Sequence, residues 1–265
     1  MPASAALLDP RTTLARPDLA EQALEGIVRA STFHTPAPMH GSAPVANLVA
    51  SPDAAAERID QLLFGEAFDV LDRQGDFAWG RARRDRTVGW VAAADLAPGA
   101  PLPTHRVAVL DGDLPLNALV IEGLADVDPD DLEPVGLFED DPVEVAEALI
   151  GTPHGLGARS SFETDCSGLV QMALYACGVS APRHSDQQAQ IGEAVDRADA
   201  RRGDLAVWLN VSSGKSWTGH SAFVFGPGLV IHATGHHGEV VVEGLAEAEA
   251  RYRADGFSEP VFRRL

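Results

Sequence analysis

Cys166 and two histidines, His220 and His232, have the residue types and spacing that nucleophilic catalysis requires. The apolar residues that follow Cys166 recur at helical spacing, so Cys166 is predicted at the start of a helix. A thiol in that position faces unsatisfied N–H groups and the positive end of the helix dipole, and both favour the thiolate. We therefore expect a lowered pKa at Cys166 and consider this residue a candidate nucleophile.

The two histidines lie in strand-like segments that flank a turn signal, Gly226-Pro227-Gly228, so a hairpin is predicted. If this hairpin closes symmetrically, Phe225 opposes Leu229, and both histidines fall on the same face. They are then diagonal neighbours, about 7–8 Å apart between backbones, within reach of a hydrogen bond between their rings. This geometry suits a relay in which His220 takes the thiol proton and His232 orients His220.

Other interpretations of these residues stay open. A cysteine at a helix start and isolated histidines are often structural. A serine hydrolase would need a Gly-x-Ser-x-Gly turn, and the sequence has none. A zinc site would need closely spaced ligands, but neither Cys-x-x-Cys nor His-Glu-x-x-His occurs, so no metal and no other cofactor is expected. The side chains available as zinc ligands are those of Cys166, His220, His232, His236 and His237.

The elements that must position these residues form an α+β pattern over 141–265. A helix over 142–150 precedes the Cys166 helix, for which Gly178 is a plausible C-cap. The second cysteine, Cys177, is about 16 Å from Cys166 along this helix, too far for a disulfide, and is interpreted as a small buried residue. Strands are predicted at 204–209, 220–225, 229–233 and 239–242.

Upstream of this region the sequence pattern changes twice. Residues 1–35 contain an amphipathic segment, 17–30, which predicts an N-terminal helical arm. Residues 36–98 carry strand-like runs between turn signals, which predict a small β-barrel. Residues 99–140 begin with a Pro-rich linker and predict a degenerate second β module. The strand candidates are 67–71, 77–82 and 88–91 in the barrel, and 107–110 and 118–121 in the second module.

Composition narrows the class of protein further. A net charge of −19 argues against nucleic acid or an anionic membrane as a partner. The first residues lack a basic start, and Asp9 and Pro10 interrupt their apolar run, so a secretory signal is not expected. No stretch approaches the roughly 20 apolar residues of a membrane span, and two cysteines give no disulfide framework. We therefore expect a cytoplasmic protein, and the oligomeric state is left open.

Four motifs of the chain resemble those of the NlpC-type cysteine peptidases, papain-like enzymes that cleave peptides of the bacterial cell wall. The resemblance covers 141–245 and implies a papain-like α+β catalytic domain. It implies that Cys166 is the nucleophile, His220 the base and His232 the third, polar member of the site. The motifs are Asp165-Cys166-Ser167-Gly168-Leu169-Val170, Arg202-Gly203-Asp204-Leu205, Gly219-His220-Ser221-Ala222 and Ile231-His232-Ala233.

The predicted barrel carries a second resemblance. Segments 61–66 and 88–91 are similar to the bacterial SH3-like module of the γ-D-glutamyl-L-diamino acid endopeptidases, also called dipeptidyl-peptidase VI. In those enzymes the module closes one end of the groove, so that only peptides with a free N-terminal L-alanine fit. The resemblance implies that Glu66, together with Asp165 and Ser167, binds the ammonium group of the substrate.

The stretch 183–188 also resembles a family segment that lines the groove, which implies substrate contacts for Ser185 and Asp186. From the residues alone, Ser185 is predicted as a helix N-cap with Gln188 at the third helical position. Both interpretations can hold together.

Three features depart from the family pattern. Leu156 stands where a tryptophan is expected, and Thr87 stands where an aromatic residue is common. The insert-like run 210–218, just before His220, is interpreted as a flap over the site. These departures concern the substrate end of the groove rather than the thiol chemistry.

The combined hypothesis is a cysteine peptidase of cell-wall recycling whose partner is a free murein peptide. It would hydrolyse the γ-D-glutamyl–diamino acid bond of peptides that begin with L-Ala. Two alternatives stay open, a γ-glutamyl or amide hydrolase that does not require a free N-terminus, and a non-catalytic peptide-binding protein. The identity of the diamino acid is not predicted.

Overall fold

The computed structural model describes residues 8–123, 126–210 and 219–265. The chain divides into two compact units, Met1–Leu102 and Pro103–Leu265. The division falls within the Pro-rich linker that follows the predicted barrel. None of the helices in the described ranges has the length and apolar content that a bilayer crossing requires.

The first unit is built from short strands. In chain order the strands are β1 (Leu19–Glu21), β2 (Thr32–His34), β3 (Ala37–Gly41), β4 (Val45–Val49), β5 (Arg58–Leu63), β6 (Ala67–Gln74), β7 (Phe77–Ala82), β8 (Val88–Ala92) and β9 (Leu96–Pro98). Strands β3 to β9 form one antiparallel sheet in the order β5-β4-β8-β7-β6-β3-β9. The three strands predicted in the barrel are confirmed as β6, β7 and β8, because alternating apolar residues and turn signals mark each of them.

The helical arm predicted over 17–30 is wrong. Strand β1 is followed by one turn of 3-10 helix, Gln22–Leu24, and the chain then returns to run parallel to β1 as β2. Gly26, with φ of 80°, adopts the left-handed conformation between them, which interrupts any helix.

Contacts with the sheet explain why this segment is extended. Within the segment, Ala20 is completely buried and Glu21 accepts from Arg81 of β7 at 2.6 and 2.9 Å. Just before the segment, the Arg16 guanidinium lies 4.2 Å from the ring centroid of Trp79. Arg16 also forms a 2.5 Å ion pair with Asp72 of β6. These tertiary contacts outweigh the weak helical preference of a short segment.

The second unit begins with a small antiparallel sheet in the region predicted as a degenerate β module. Its strands are β10 (His105–Val107), β11 (Leu119–Val120) and β12 (Leu132–Pro134), in the order β11-β10-β12. The buried Arg106 of β10 holds the region together, since its guanidinium contacts Glu133 at 2.5 Å and Glu139 at 3.0 Å.

The rest of the second unit has the predicted α+β architecture. The helices are α1 (Pro142–Ala148), α2 (Cys166–Ala176), α3 (Ser185–Gln188) and α4 (Leu245–Ala254); the strands are β13 (Glu193–Val195), β14 (Leu205–Leu209), β15 (Gly219–Gly226), β16 (Leu229–Thr234), β17 (Glu239–Gly244) and β18 (Val261–Arg264). The strands form one antiparallel sheet in the order β13-β18-β14-β15-β16-β17. Helices α1 and α2 pack on β15 and β16 through one apolar cluster that includes Leu169, Phe223 and Ile231.

Helix α2 ends in a Schellman motif. Gly178 has a φ of 73° and donates its N–H to the Tyr175 carbonyl, while the Val179 N–H reaches the Leu174 carbonyl at 2.8 Å. Cys177 is the C-cap residue, one position before the predicted Gly178, and it is half-buried rather than fully buried. Both cysteines are free thiols.

Gly168 tests how closely helix α2 packs against the backbone at Ala158. A Cβ at this position would lie 2.3 Å from the Ala158 carbonyl oxygen. We expect Gly168→Ala to destabilise the protein by about 1–3 kcal/mol in urea unfolding, because backbone overlap outweighs the roughly 1 kcal/mol gained in helix propensity. Gly226→Ala is the matched control, since a Cβ there meets nothing within 4 Å. It should change the free energy of unfolding by less than about 0.5 kcal/mol, and equal effects of the two substitutions would contradict this packing argument.

Candidate active site

Asp165 fixes the start of the helix that carries Cys166. As the N-cap of α2 it accepts the Gly168 N–H at 2.8 Å, and it also accepts the Gly157 N–H at 2.9 Å. Arg183 binds both carboxylate oxygens, at 3.0 and 2.6 Å, and Ser167 donates at 3.2 Å. Burial by itself would raise the pKa of Asp165, but the Arg183 charge and these hydrogen bonds lower it below its usual range. The carboxylate is therefore ionised and held by five donors.

Cys166 is half-buried and follows this carboxylate directly along the chain. Its Sγ is 3.8 Å from the Ser185 Oγ, and the Ser221 backbone N–H donates to it. Burial and the charge of Asp165 raise the pKa of the thiol to about 11, although Ser221, Ser185 and Arg183 act in the opposite direction. The predicted lowering of the pKa is therefore wrong, because desolvation and a neighbouring anion outweigh the helix start. The resting sulfur is a neutral thiol.

His220 and His232 meet as the predicted hairpin requires. Phe223 pairs with Ile231 in β15 and β16, which is the predicted register. The Nε2 atom of His220 lies 2.7 Å from Nδ1 of His232. The tip differs from the prediction, since a bulge after Val224 places Gly226, not Phe225, opposite Leu229.

Aromatic side chains enclose the His220 ring. Tyr252 of α4 stacks on it with ring centroids 4.3 Å apart, and its hydroxyl is 2.9 Å from Nε2. Trp208 of β14 lies 5.8 Å away, centroid to centroid. Burial, then the neighbouring His232 and His154, place the pKa of His220 well below its ordinary value. His220 is thus neutral at rest, as a proton acceptor must be.

A carboxylate behind His232 was missed by the sequence analysis. Glu243 of β17 lies 2.6 Å from Nε2 of His232 and is held in turn by Arg251. The predicted strand ended at 242, one residue short of Glu243. Register could have found it, because His232 pairs with Val241 and Glu243 is two residues further on the same face. The line of contacts from His220 therefore continues through His232 to an acid.

In the segment 183–188, the predicted start of the helix is one residue late. Helix α3 begins at Ser185, but its N-cap is His184 rather than the predicted Ser185, and Gln187 rather than Gln188 is the third helical residue. The Gln187 side chain accepts the His184 N–H at 3.4 Å. The Ser185 side chain is consequently available to Cys166, as described above, and Asp186 is half-buried in the same turn.

Glu66 belongs to the first unit, whereas Asp165 and Ser167 belong to the second. Its carboxylate is 1% exposed, in the turn between β5 and β6, where it accepts the Leu63 N–H at 3.1 Å and contacts Arg84 at 2.7 Å. The shared ammonium site of these residues stays a prediction.

The two residues that depart from the family pattern, Thr87 and Leu156, differ in their exposure to solvent. Thr87 is buried in the first unit, and Leu156 is 65% exposed. Residues 211–218 of the predicted flap lie outside the described residues. Within the ranges that are described, no group of three or more His, Cys, Asp or Glu side chains is arranged to hold a metal ion.

Comparison with known proteins defines the class. Residues 151–258 match the NlpC/P60 family, and residues 48–96 match the bacterial dipeptidyl-peptidase SH3 domain. The second unit therefore carries a papain-like α+β domain of the NlpC/P60 peptidase family. The chain as a whole combines this domain with a preceding SH3-like domain of the dipeptidyl-peptidase type, as the sequence resemblance predicts.

Solved structures with low identity share this fold. An NlpC/P60 family protein from Bacillus cereus has a TM-score of 0.71 at 17% identity, covering 86% of this chain and 99% of that chain. An NlpC/P60 endopeptidase from Photobacterium damselae subsp. piscicida has a TM-score of 0.63 at 12% identity, covering 86% of this chain and 72% of that chain.

Curated relatives match over shorter stretches. A gamma-D-glutamyl-L-lysine dipeptidyl-peptidase of Bacillus cereus is 32% identical over 94 residues, 36% of this chain and 28% of that protein. A probable endopeptidase of Mycobacterium tuberculosis is 29% identical over 148 residues, 54% of this chain and 36% of that protein. The matches thus span about a third of the length of these relatives.

Arg183 supplies a test of the support beneath Cys166. We expect Arg183→Met to destabilise the protein by about 3–5 kcal/mol near neutral pH, because it leaves the buried Asp165 charge uncompensated. The deficit should shrink as the pH falls towards about 3.9, the unfolded pKa of Asp, since a protonated Asp165 needs no cation. In the wild type, the depressed Asp165 pKa stabilises the fold above that value and ceases to do so as the pH falls through the folded pKa.

Urea unfolding at a series of pH values measures this effect. Arg202→Met is the control, because Arg202 forms a partly exposed pair with Asp141 at 3.1 Å. Its cost should stay below about 1 kcal/mol at every pH. A deficit for Arg183→Met that does not change with pH would show that the guanidinium acts through packing rather than charge.

Proposed function

We propose that this protein is a cysteine peptidase that cleaves the γ-D-glutamyl–diamino acid bond of murein peptides with an N-terminal L-Ala. The observation that carries the proposal is the contact of Cys166 with the strand of the two histidines: its Sγ accepts the backbone N–H of Ser221, the residue after His220, and His220 lies 2.7 Å from His232. The family of the second unit supports peptide cleavage, and the name of the Bacillus cereus relative supports the γ-D-glutamyl bond. A cytoplasmic location stays part of this proposal.

The reaction proceeds by acyl transfer. His220 takes the Cys166 proton as Sγ attacks the γ-carbonyl carbon, because the thiol is protonated at rest. The proton then passes to the leaving amine of the diamino acid as the C–N bond breaks, which leaves a thioester. Water, deprotonated by His220, hydrolyses the thioester and regenerates the thiol. The Cys166 N–H, at the first helical position, is a donor for the oxyanion.

Substitution of Cys166 tests the nucleophile. Cys166→Ala should lower kcat for L-Ala-γ-D-Glu-L-Lys and for the diaminopimelate peptide by about 10³-fold or more, because no acyl-enzyme can form. Cys177→Ala is the matched control and should leave the rate unchanged, since Cys177 lies at the other end of α2. Turnover by Cys166→Ala at the wild-type rate would exclude the thiol mechanism.

The carboxylates assigned to the free amine of the substrate point to a second candidate function. Both carboxylates assigned to the substrate ammonium are already paired with arginine, Glu66 with Arg84 and Asp165 with Arg183. A carboxylate has about four lone-pair sites, so Asp165, with five donors, has no capacity left. This favours a γ-glutamyl hydrolase that accepts blocked N-termini.

Acetylation of the substrate separates the two candidates. If the amine is recognised, N-acetyl-L-Ala-γ-D-Glu-L-Lys should be cleaved at least about 10-fold more slowly than the free peptide, because a charge-assisted hydrogen bond of about 1.5–3 kcal/mol is lost. Glu66→Gln should remove this preference, whereas Asp69→Asn, which breaks the exposed pair with Arg83, should keep it. Equal rates for the free and acetylated peptides would establish the relaxed hydrolase instead.

A further inference from the structure

Glu243 is an acid in contact with the histidine pair that the proposed reaction has not used. Its Oε1 lies 2.6 Å from Nε2 of His232, while Nδ1 of His232 lies 2.7 Å from Nε2 of His220. The His232 side chain is 0% exposed and that of Glu243 is 12% exposed. The two imidazoles are thus joined in series to a carboxylate inside the protein.

We propose that Glu243 is a positioning residue that sets which ring nitrogens carry protons, so that Nδ1 of His220 is the bare nitrogen for the Cys166 thiol. The inference rests on the proposed roles of Cys166 and His220. An ionised carboxylate only accepts hydrogen bonds, so Nε2 of His232 must carry the proton of that contact. Nδ1 of a neutral His232 is then an acceptor, and Nε2 of His220 must donate to it.

Burial keeps both rings neutral, as this sequence of donors requires. The pKa of His232 is lowered by burial, although Glu243 acts in the opposite direction, and the pKa of His220 is lowered further. The carboxyl of Glu243 stays ionised, because hydrogen bonds to His232 and Arg251 outweigh burial and lower its pKa.

The contacts of Tyr252 agree with hydrogen bonds that run from His220 through His232 to Glu243. Its hydroxyl donates to the Thr234 Oγ1 at 3.3 Å, and its oxygen is 2.9 Å from Nε2 of His220. Since the hydroxyl donates to Thr234, its oxygen is a second acceptor for the one Nε2 proton of His220, which it shares with Nδ1 of His232. The opposite tautomer of His220 would carry its proton on Nδ1, where it could not accept one from the thiol.

The charge of Glu243 also affects the transfer of the Cys166 proton to His220. Proton transfer creates an imidazolium in a buried site, and Glu243 favours that cation whereas Arg251 disfavours it. The other titratable groups nearby are His154, beside His220, and His237, whose Nε2 is 3.5 Å from Glu243. The Glu243–Arg251 pair therefore tunes how readily His220 holds the thiol proton.

Ring-nitrogen NMR of the full chain tests the tautomers without any substrate. In the wild type, ¹H–¹⁵N spectra near neutral pH should show both His220 and His232 protonated at Nε2, with Nδ1 bare in each. Glu243→Ala leaves Arg251 facing His232 and should move the proton of each ring to Nδ1. A wild-type His220 that is protonated at Nδ1 would overturn the proposal.

Alkylation of Cys166 by iodoacetamide, followed by mass spectrometry of its peptide, tests the charge. Glu243→Gln should slow alkylation at neutral pH, because an imidazolium partner for the thiolate is less stable, and Arg251→Gln should accelerate it. Glu249→Gln is the matched control. Glu249 lies on α4, the helix that carries Arg251, is a similarly buried acid, and contacts Arg197 and Arg253. It should leave the rate unchanged.

Hydrolysis of L-Ala-γ-D-Glu-L-Lys completes the series. Glu243→Ala should lower kcat by about 10²-fold or more with KM nearly unchanged, because a wrong tautomer disables the base without altering the groove. Glu243→Gln, whose carbonyl can still accept from His232, should retain more activity. A Glu243→Ala protein that folds, alkylates and hydrolyses as the wild type does would refute the positioning role. If the wild type cleaves no such peptide, the proposed function fails, while the NMR and alkylation results still decide the role of Glu243.

Discussion

The buried ion pair between Asp165 and Arg183 is the contact on which the rest of the site depends. Through one carboxylate it joins the cap of α2, the backbone at Gly157 and the segment that leads into α3. Cys166 is the next residue along the chain, so its position follows from this contact. Together with burial, the same carboxylate raises the pKa of the thiol, so the group that supports the proposed nucleophile also keeps it protonated.

The sheet carries the proposed base, His220, which is also uncharged at rest. Burial under Trp208 and Tyr252 keeps His220 neutral, so this imidazole and the Cys166 thiol are both uncharged at rest and do not form an ion pair in advance. In the proposed reaction, charge develops only when a substrate carbonyl is attacked. Electrostatic groups that favour the imidazolium act at that moment, when they contribute most to the rate.

Local patterns were sufficient to predict much of this arrangement. Alternation and turn signals located the strands, and the helix of Cys166 and the register of the hairpin followed from spacing alone. The failures came from contacts between distant residues. Segment 17–30 is extended because β1 pairs with β2 and Glu21 binds Arg81 of β7, contacts that no local pattern encodes. The thiol pKa depended on burial, and Glu243 lay one residue beyond a strand end that periodicity defines poorly.

The bulge after Val224 separates the histidines from the turn that joins their strands. One extra residue, Phe225, is absorbed there, and the pairing of Phe223 with Ile231 is preserved below it. In a hairpin without such a bulge, a one-residue change at the tip would rotate every side chain to the opposite face. Here the exposed tip at Pro227 and Gly228 can accept a spectroscopic label or a short epitope while the histidines keep their alignment. The tip is therefore a suitable attachment site for single-molecule measurements.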